Sequence, residues 1–310
     1  MKHLWRKRGW PAAAVSASRR QCSCKLANDF TTTGPCCTRS TLSARRRPSV
    51  CFGFVLLAIC LALAGCQRPK TLLTLRIAAA ADLQFTLPDI VREFEKQTPG
   101  VTVEASYGAS GNLSAQINQG APFDLFLSAD VQFPEKLMTE GKTADRWFAY
   151  ARGRLAVWVP KSSAVDFQQQ GLAGLTDAAF RKIAIANPAH APYGRAAVAA
   201  LRQAGLYDAI ADRLVLGENV AQTAQFAQSG AADAAIISLS QAIAPQMAEA
   251  GKFWDVPLET YPPLNQGGVV LSHSEQRETA RKFQALLLSE RGQTILNEHG
   301  FLPSKLEEIH

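Results

Sequence analysis

The stretch LTLRIAAAADLQFTLPDIVREFEK, residues 73–96, decides the fold. Its opening run, Leu73–Ala80, is apolar and too short for an independent helix, so it reads as a buried β-strand. Leu83, Leu87, Ile90 and Phe94 then recur at helical spacing, with Glu93, Glu95 and Lys96 on the outer side. Pro88 falls near the front of this helix, where a missing N–H costs little. The unit is a strand followed directly by an amphipathic helix.

The unit repeats along the chain. Val101–Tyr107 alternates like a strand and leads to a short helix, Leu113–Gln119, that stops at Gly120. Asp124–Ser128 and Arg154–Pro160 are further strands. Lys182–Ala186 leads to a helix from about Arg195 to Ala204, closed by Gly205. Arg213–Leu216 leads to Val220–Gln228, closed by Gly230, and Ala234–Ile237 is one more strand. Strands alternating with helices of this length predict βαβ units and mainly parallel sheets. No low-complexity linker divides the chain, so two domains joined through strands are expected.

The charge is uneven. The 310 residues carry 33 Lys and Arg against 26 Asp and Glu, a formal charge of +7. Residues 1–65 hold eleven of the basic residues and one acid, Asp29, which leaves 22 basic and 25 acidic residues beyond them, a net of −3. The globular chain is therefore mildly acidic, and the whole-chain charge is no argument for nucleic acid. All seven cysteines lie in the first 66 residues, so the globular part has neither a disulfide framework nor thiolate chemistry. Cys22-x-Cys24 with Cys36-Cys37 lacks zinc-ribbon spacing.

Arg45-Arg46-Arg47 precedes an uncharged apolar run, Val50 to Gly65, that is short for a membrane-spanning helix. A basic region, an apolar region and a small-residue end make a secretory signal. Leu63-Ala64-Gly65-Cys66 resembles the bacterial lipoprotein cleavage box, which implies a signal peptide over 42–65 and lipid attachment at Cys66. Residues 1–41 are a basic, unstructured leader longer than a signal peptide normally carries; translation from a codon near Leu42 is the expectation.

Catalytic machinery is missing from the pattern. Beyond the leader the imidazoles are His190, His273, His299 and His310, with no G-x-S-x-G elbow, P-loop, G-x-G-x-x-G or H-E-x-x-H. What the chain offers instead is a set of polar loops at strand ends, where ligands bind in open α/β sheets. They are Ala81-Asp82, Gly108–Asn112, Asn187–Gly194, Gly217–Val220, and Ser238 with Ser240. Helix N-termini at these junctions favour an anion through unpaired N–H groups. Taken singly, Asp82, Ser110 and Asn219 read as ordinary N-caps.

Taken together, the loops resemble those of the molybdate-binding proteins of bacterial ABC importers. LRIAAAADLQFTLPDIVREFEK (75–96), SYGASGNLSAQINQGAPFDLFLSAD (106–130), IANPAHAPYGRAAVAAL (185–201), GENVAQTAQFAQSGAADAAIISLSQA (217–242) and SERGQTILNEHGFLPS (289–304) carry the likeness, which covers about 72–305. It implies a two-lobed periplasmic-binding-protein fold of the second type, each lobe a mainly parallel sheet flanked by helices. The lobes would be 66–152 plus 259–310, and 153–258, with the ligand in the cleft between them. It also implies a monomeric, periplasmic, lipid-anchored receptor for molybdate or tungstate. That receptor would serve the permease of an ABC importer, with no cofactor, no enzymatic activity and no nucleic-acid partner.

The resemblance further implies an oxyanion held by main-chain N–H and hydroxyl donors, with no direct ligand to the metal. The positions are Ala81, Asp82, Ser110, Tyr193, Val220 through its N–H, and Ser238, which stands where the family has a tyrosine. Asp82 stands where the family has a serine, and an ionised carboxylate accepts but does not donate. Either its side chain caps the following helix while its N–H faces the anion, or the ligand itself carries a proton. The N-cap preference for Asp favours the first; the second would suit phosphate or a phosphonate. Sulfate on the same fold is a further alternative. A ferric site would need clustered tyrosines at the cleft.

Overall fold

The computed structural model describes residues 73–304. The leader, the signal segment 42–65 and the proposed lipid-bearing Cys66 lie outside the described residues. Ten strands form two five-stranded sheets. The first has the order β2-β1-β3-β10-β4, built from β1 (Leu73–Ala80), β2 (Val101–Gly108), β3 (Leu125–Ser128), β4 (Phe148–Gly153) and β10 (Leu264–Val270). The second has the order β7-β6-β8-β5-β9, built from β5 (Leu155–Pro160), β6 (Ile183–Ala186), β7 (Leu214–Gly217), β8 (Ala234–Ser238) and β9 (Gly251–Asp255). Each sheet with its helices is one lobe of a periplasmic-binding-protein type fold.

Both sheets are mainly parallel, as read from the strand–helix alternation. The exceptions are the two strands that follow a crossing between lobes. β5 runs antiparallel to β8 and β9, and β10 runs antiparallel to β3 and β4. The chain passes from β4 to β5 through Arg154 alone and returns between Asp255 and Leu264. A strand entering a sheet from the neighbouring lobe has no crossover helix to turn it, so it need not run with the others.

Helices of eight or more residues are α1 (Leu87–Gln97), α2 (Ser110–Asn118), α3 (Gln132–Thr139), α4 (Pro192–Gln203), α5 (Val220–Gln228), α6 (Arg277–Leu288) and α7 (Glu290–Glu298). β1 shows why an all-apolar run makes a strand here. Leu75, Ile77 and Ala79 pack into a core with α1, α6 and α7, while Ala78 packs on the opposite face with Leu113, Ile117 and Phe126. Side chains alternate across a strand, so a sheet covered on both faces needs apolar residues at every position. On α1, Leu87, Ile90 and Phe94 are buried, and Phe94 meets Phe283 edge to face at 5.0 Å between centroids. The second lobe has one large core in which β5, β6 and β8 contribute nearly every residue.

Three sequence expectations change. The helix read from Leu83 is instead a 3-10 turn, Ala81–Leu83, followed by α1 starting at Leu87, where Pro88 sits at the first positions that tolerate it. α4 starts at Pro192 rather than near Arg195, again with proline at its front. Asp82 and Ser110 are not N-caps. Asp82 lies inside the 3-10 turn, Ser110 is the first residue of α2, and neither turn nor helix has a side-chain cap bond. Asn219 does cap α5, accepting from the N–H groups of Ala221 and Gln222 at 3.0 Å each.

Candidate functional site

The carboxyl ends of β1, β2, β6 and β7 converge where the lobes meet. There Ala81, Asp82, Ser110, Tyr193 and Val220 line one small cavity of about 10 Å³. That is room for about one water-sized group, far below the roughly 300–1,000 Å³ that organic ligands generally occupy. Three helix N-termini reach it, those of α2, α4 and α5. Their first-turn N–H groups lack intrahelical partners and carry the positive end of the dipole. The Asn219 cap takes the N–H groups of Ala221 and Gln222 and leaves that of Val220, at the first helical position, to the cavity side.

Ser110 is placed to donate. Its hydroxyl oxygen accepts the N–H of Ala129 at 3.0 Å, which leaves the hydroxyl proton for a ligand. Ser238 is not among the lining residues. It is buried at the end of β8, 3.0 Å from the Ser240 hydroxyl, and Ser240 donates to the Asp82 carbonyl at 2.8 Å. Gln241 donates to the Ala81 carbonyl at 3.0 Å. Ser238 thus supports the first loop from the other lobe.

Asp82 departs most from expectation. Its carboxylate does not cap the following helix. Oδ2 accepts from the Tyr193 hydroxyl at 2.9 Å and from the Gln266 amide at 2.5 Å, while Oδ1 has no hydrogen-bond partner. The residue is fully buried. Burial pushes its carboxyl from 3.8 up to about 6, against the pull of the Gln266 and Tyr193 hydrogen bonds and the nearby N–H groups of Asp82 and Leu83. Burial also pushes the Tyr193 and Tyr150 phenols well above the usual tyrosine range, and the Asp82 charge adds to both. Both phenols are neutral donors at physiological pH, and Tyr150 gives its proton to the Ser128 carbonyl at 3.1 Å.

Further polar contacts cross the cleft beside an apolar one, in which Ala80, Ala81, Ala109 and Ala129 join the core of the second lobe. The Gly111 N–H donates to the His190 carbonyl at 3.0 Å, and the Asn112 amide reaches Glu218 at 3.4 Å. Arg195 pairs with Asp130 beside the cavity, so this cation is matched by a carboxylate and does not line the ligand space. Two glycines permit the approach. A Cβ on Gly111 would stand 2.8 Å from the His190 carbonyl oxygen, and one on Gly153 would stand 2.2 Å from the Tyr193 hydroxyl.

Sequence reasoning missed Gln266 and Gly153. Gln266 is a fully buried amide in β10, among residues that are otherwise apolar or glycine from position 267 onward. A lone amide within such a run was the available signal, since a buried polar group needs a partner. Among the described residues, no group of three or more His, Cys, Asp or Glu side chains is placed to hold a metal ion.

Two α/β lobes closing hydrogen-bond donors around a small cavity define a solute-binding protein. The chain belongs to the family of bacterial extracellular solute-binding proteins, whose model matches residues 75–302. It is 38% identical over 227 residues to the molybdate-binding protein ModA of Azotobacter vinelandii, spanning 73% of this chain and 88% of that one. The corresponding protein of Rhodobacter capsulatus is 34% identical over 229 residues, with 73% and 88% covered. The solved structure of the Azotobacter vinelandii periplasmic molybdate-binding protein is similar with a TM-score of 0.70 at 33% identity, covering 74% of this chain and 100% of that one. No helix among the described residues is long and apolar enough to cross a membrane.

Proposed function

We propose that this protein captures molybdate, and tungstate with it, outside the cytoplasm and delivers it to the permease of an ABC importer. The observation that carries the reading is the Ser110 hydroxyl, which accepts from Ala129 and keeps its proton for the cavity, opposite the open helix starts at Tyr193 and Val220. Molybdate is a dianion at neutral pH and wants donors only. Neutral, preorganised dipoles in a closed space hold such an ion without the reorganisation water requires. Ala81, Asp82, Ser110, Tyr193 and Val220 form the ligand set, and Ser238 acts behind it. Selection against sulfate follows from cavity size, and molybdate and tungstate are too nearly equal in size to be told apart.

Donors from both lobes stabilise the closed form, which gives the permease a ligand-dependent surface to recognise. Cys66 provides a lipid anchor that keeps the monomeric receptor near the importer, in the periplasm. The protein binds and releases without chemistry.

Calorimetric titration with molybdate, tungstate, sulfate, phosphate and a phosphonate tests the reading. Tight binding of molybdate and tungstate with weak sulfate is expected. Tight phosphate or phosphonate binding with none of molybdate would contradict it. Ser110→Ala is expected to weaken molybdate binding by about 1.5–3 kcal/mol, the worth of a hydrogen bond to a charged group. An unchanged affinity would make Ser110 a helix-start residue only.

A further inference from the structure

Asp82 sets a problem that the ligand reading leaves open. A carboxylate in contact with a dianion repels it, and the repulsion is strong in a closed space of low dielectric. Yet Asp82 lines the cavity and is fully buried, so it cannot turn out to water. Nor does it turn back onto the helix start.

Its two oxygens are unequal. Oδ2 is held by two donors from opposite lobes, the Tyr193 hydroxyl and the Gln266 amide. The amide nitrogen has no acceptor capacity, and the phenol also accepts from Gln266 at 3.3 Å, so its proton is directed at Asp82. No proton fits on Oδ2. Oδ1 is buried without a partner, on a residue that faces the ligand space. A proton on Oδ1 would satisfy that oxygen and convert it from an acceptor into an O–H donor.

We infer that Asp82 holds the oxyanion as a neutral carboxylic acid with its proton on Oδ1, so that each anion bound brings one proton from water into the closed cleft. The reaction is a plain protonation: the carboxylate takes one proton as the lobes close on the anion, and returns it to water as they open. The inference rests on the reading of the ligand as a molybdate-like dianion. Asp82 then supplies the hydroxyl donor that a serine would, but one present only when protonated.

The surroundings agree. The 3-10 turn that carries Asp82 packs against β2, α5 and the one-turn helix Leu239–Ala242. α5 and that one-turn helix carry no titratable side chain. β2 carries Glu104, which pairs at the surface with Arg76, and Tyr107, whose phenol burial raises. The titratable groups that feel Asp82 are Tyr193 and Tyr150, both neutral phenols. Arg195 is matched by Asp130. With the carboxyl already raised to about 6, burial outweighing its hydrogen bonds, a neighbouring dianion raises it further.

Calorimetry with molybdate in buffers of different ionisation enthalpy counts the protons exchanged, and repeating it from about pH 6 to 8.5 gives the linked affinity. The protein is expected to take up close to one proton per molybdate at about pH 7.5, with affinity falling up to about tenfold per pH unit above neutrality. Asp82→Asn, whose amide donates at every pH, should bind with no proton uptake and a flat profile. Asp82→Ser, with a permanent hydroxyl, is the second variant and should also be flat. Molybdate binding without proton uptake in the unaltered protein overturns the inference and leaves the ligand reading standing. So does uptake that persists in both variants. Failure of molybdate to bind at every pH overturns the ligand reading and the inference together.

Discussion

Gly111→Ala is expected to weaken molybdate binding about a hundredfold or more while leaving the protein at least as stable as before. Gly111 lies in the first turn of α2, and its N–H donates to the His190 carbonyl of the other lobe at 3.0 Å. A Cβ there would meet that carbonyl oxygen at 2.8 Å and the His190 Cα at 3.2 Å. Both are backbone atoms, so no side chain can swing aside, and the lobes themselves must stay apart. The anion would then lose donors from the second lobe, and each hydrogen bond to a charged group is worth about 1.5–3 kcal/mol. In the separated lobes the same substitution replaces glycine by the best helix former, a gain of up to about 1 kcal/mol. Titration calorimetry and urea denaturation on one preparation separate the two effects. Unchanged affinity would mean that ligand capture does not require this approach of the lobes.

Asp82→Asn is expected to raise stability by about 3 kcal/mol at pH 7–8 and by nothing below about pH 4. The folded carboxyl is raised from 3.8 to about 6, chiefly by burial, so the folded state prefers the protonated form. The contribution of this group is therefore fully present below pH 3.8 and is lost as pH rises through about 6. At about 1.4 kcal/mol per pH unit, a rise of roughly two units costs the folded protein about 3 kcal/mol once the carboxylate is ionised. Asparagine keeps an oxygen for Tyr193 and Gln266 and removes the charge. Urea denaturation of both proteins at pH 4 and pH 8 measures the difference. Equal stabilities at pH 8 would show that the ionised carboxylate is not held in a dry site.

Much of this architecture is legible in local pattern. β1 and the loop after it follow from LTLRIAAA ending at Ala81-Asp82, because a strand buried on both faces leaves an unbroken apolar run. The loops Gly108–Asn112, Asn187–Gly194 and Gly217–Val220 stand at strand ends, and the cavity forms where their helices start. β4, β9 and β10 are not legible as strands in the sequence. FAYARG, GKFWD and LNQGGVV carry glycines and charges that weaken the apolar pattern, and they pair with partners distant in sequence. Their identity as strands comes from the tertiary contact.

The site divides in the same way. Ser110 and Val220 are visible as helix starts after strands. The orientation of Asp82 is not visible, since it depends on Tyr193 from the other lobe and on Gln266, 184 positions away in the chain. Local pattern favours a helix cap for its carboxylate, the common solution. The fold gives it donors from two lobes instead. Gly153 is informative only in space, because nothing near it in sequence shows that the Tyr193 hydroxyl occupies the volume of its missing Cβ.

The most direct test of the account is a crystal structure of the protein grown with molybdate, with data collected to locate molybdenum by its anomalous signal. The account predicts one strong peak between the lobes, its oxygens within hydrogen-bonding reach of the Ser110 hydroxyl, the Val220 N–H and Asp82 Oδ1. A peak elsewhere, or a closed cleft with molybdate present and none bound, would contradict it.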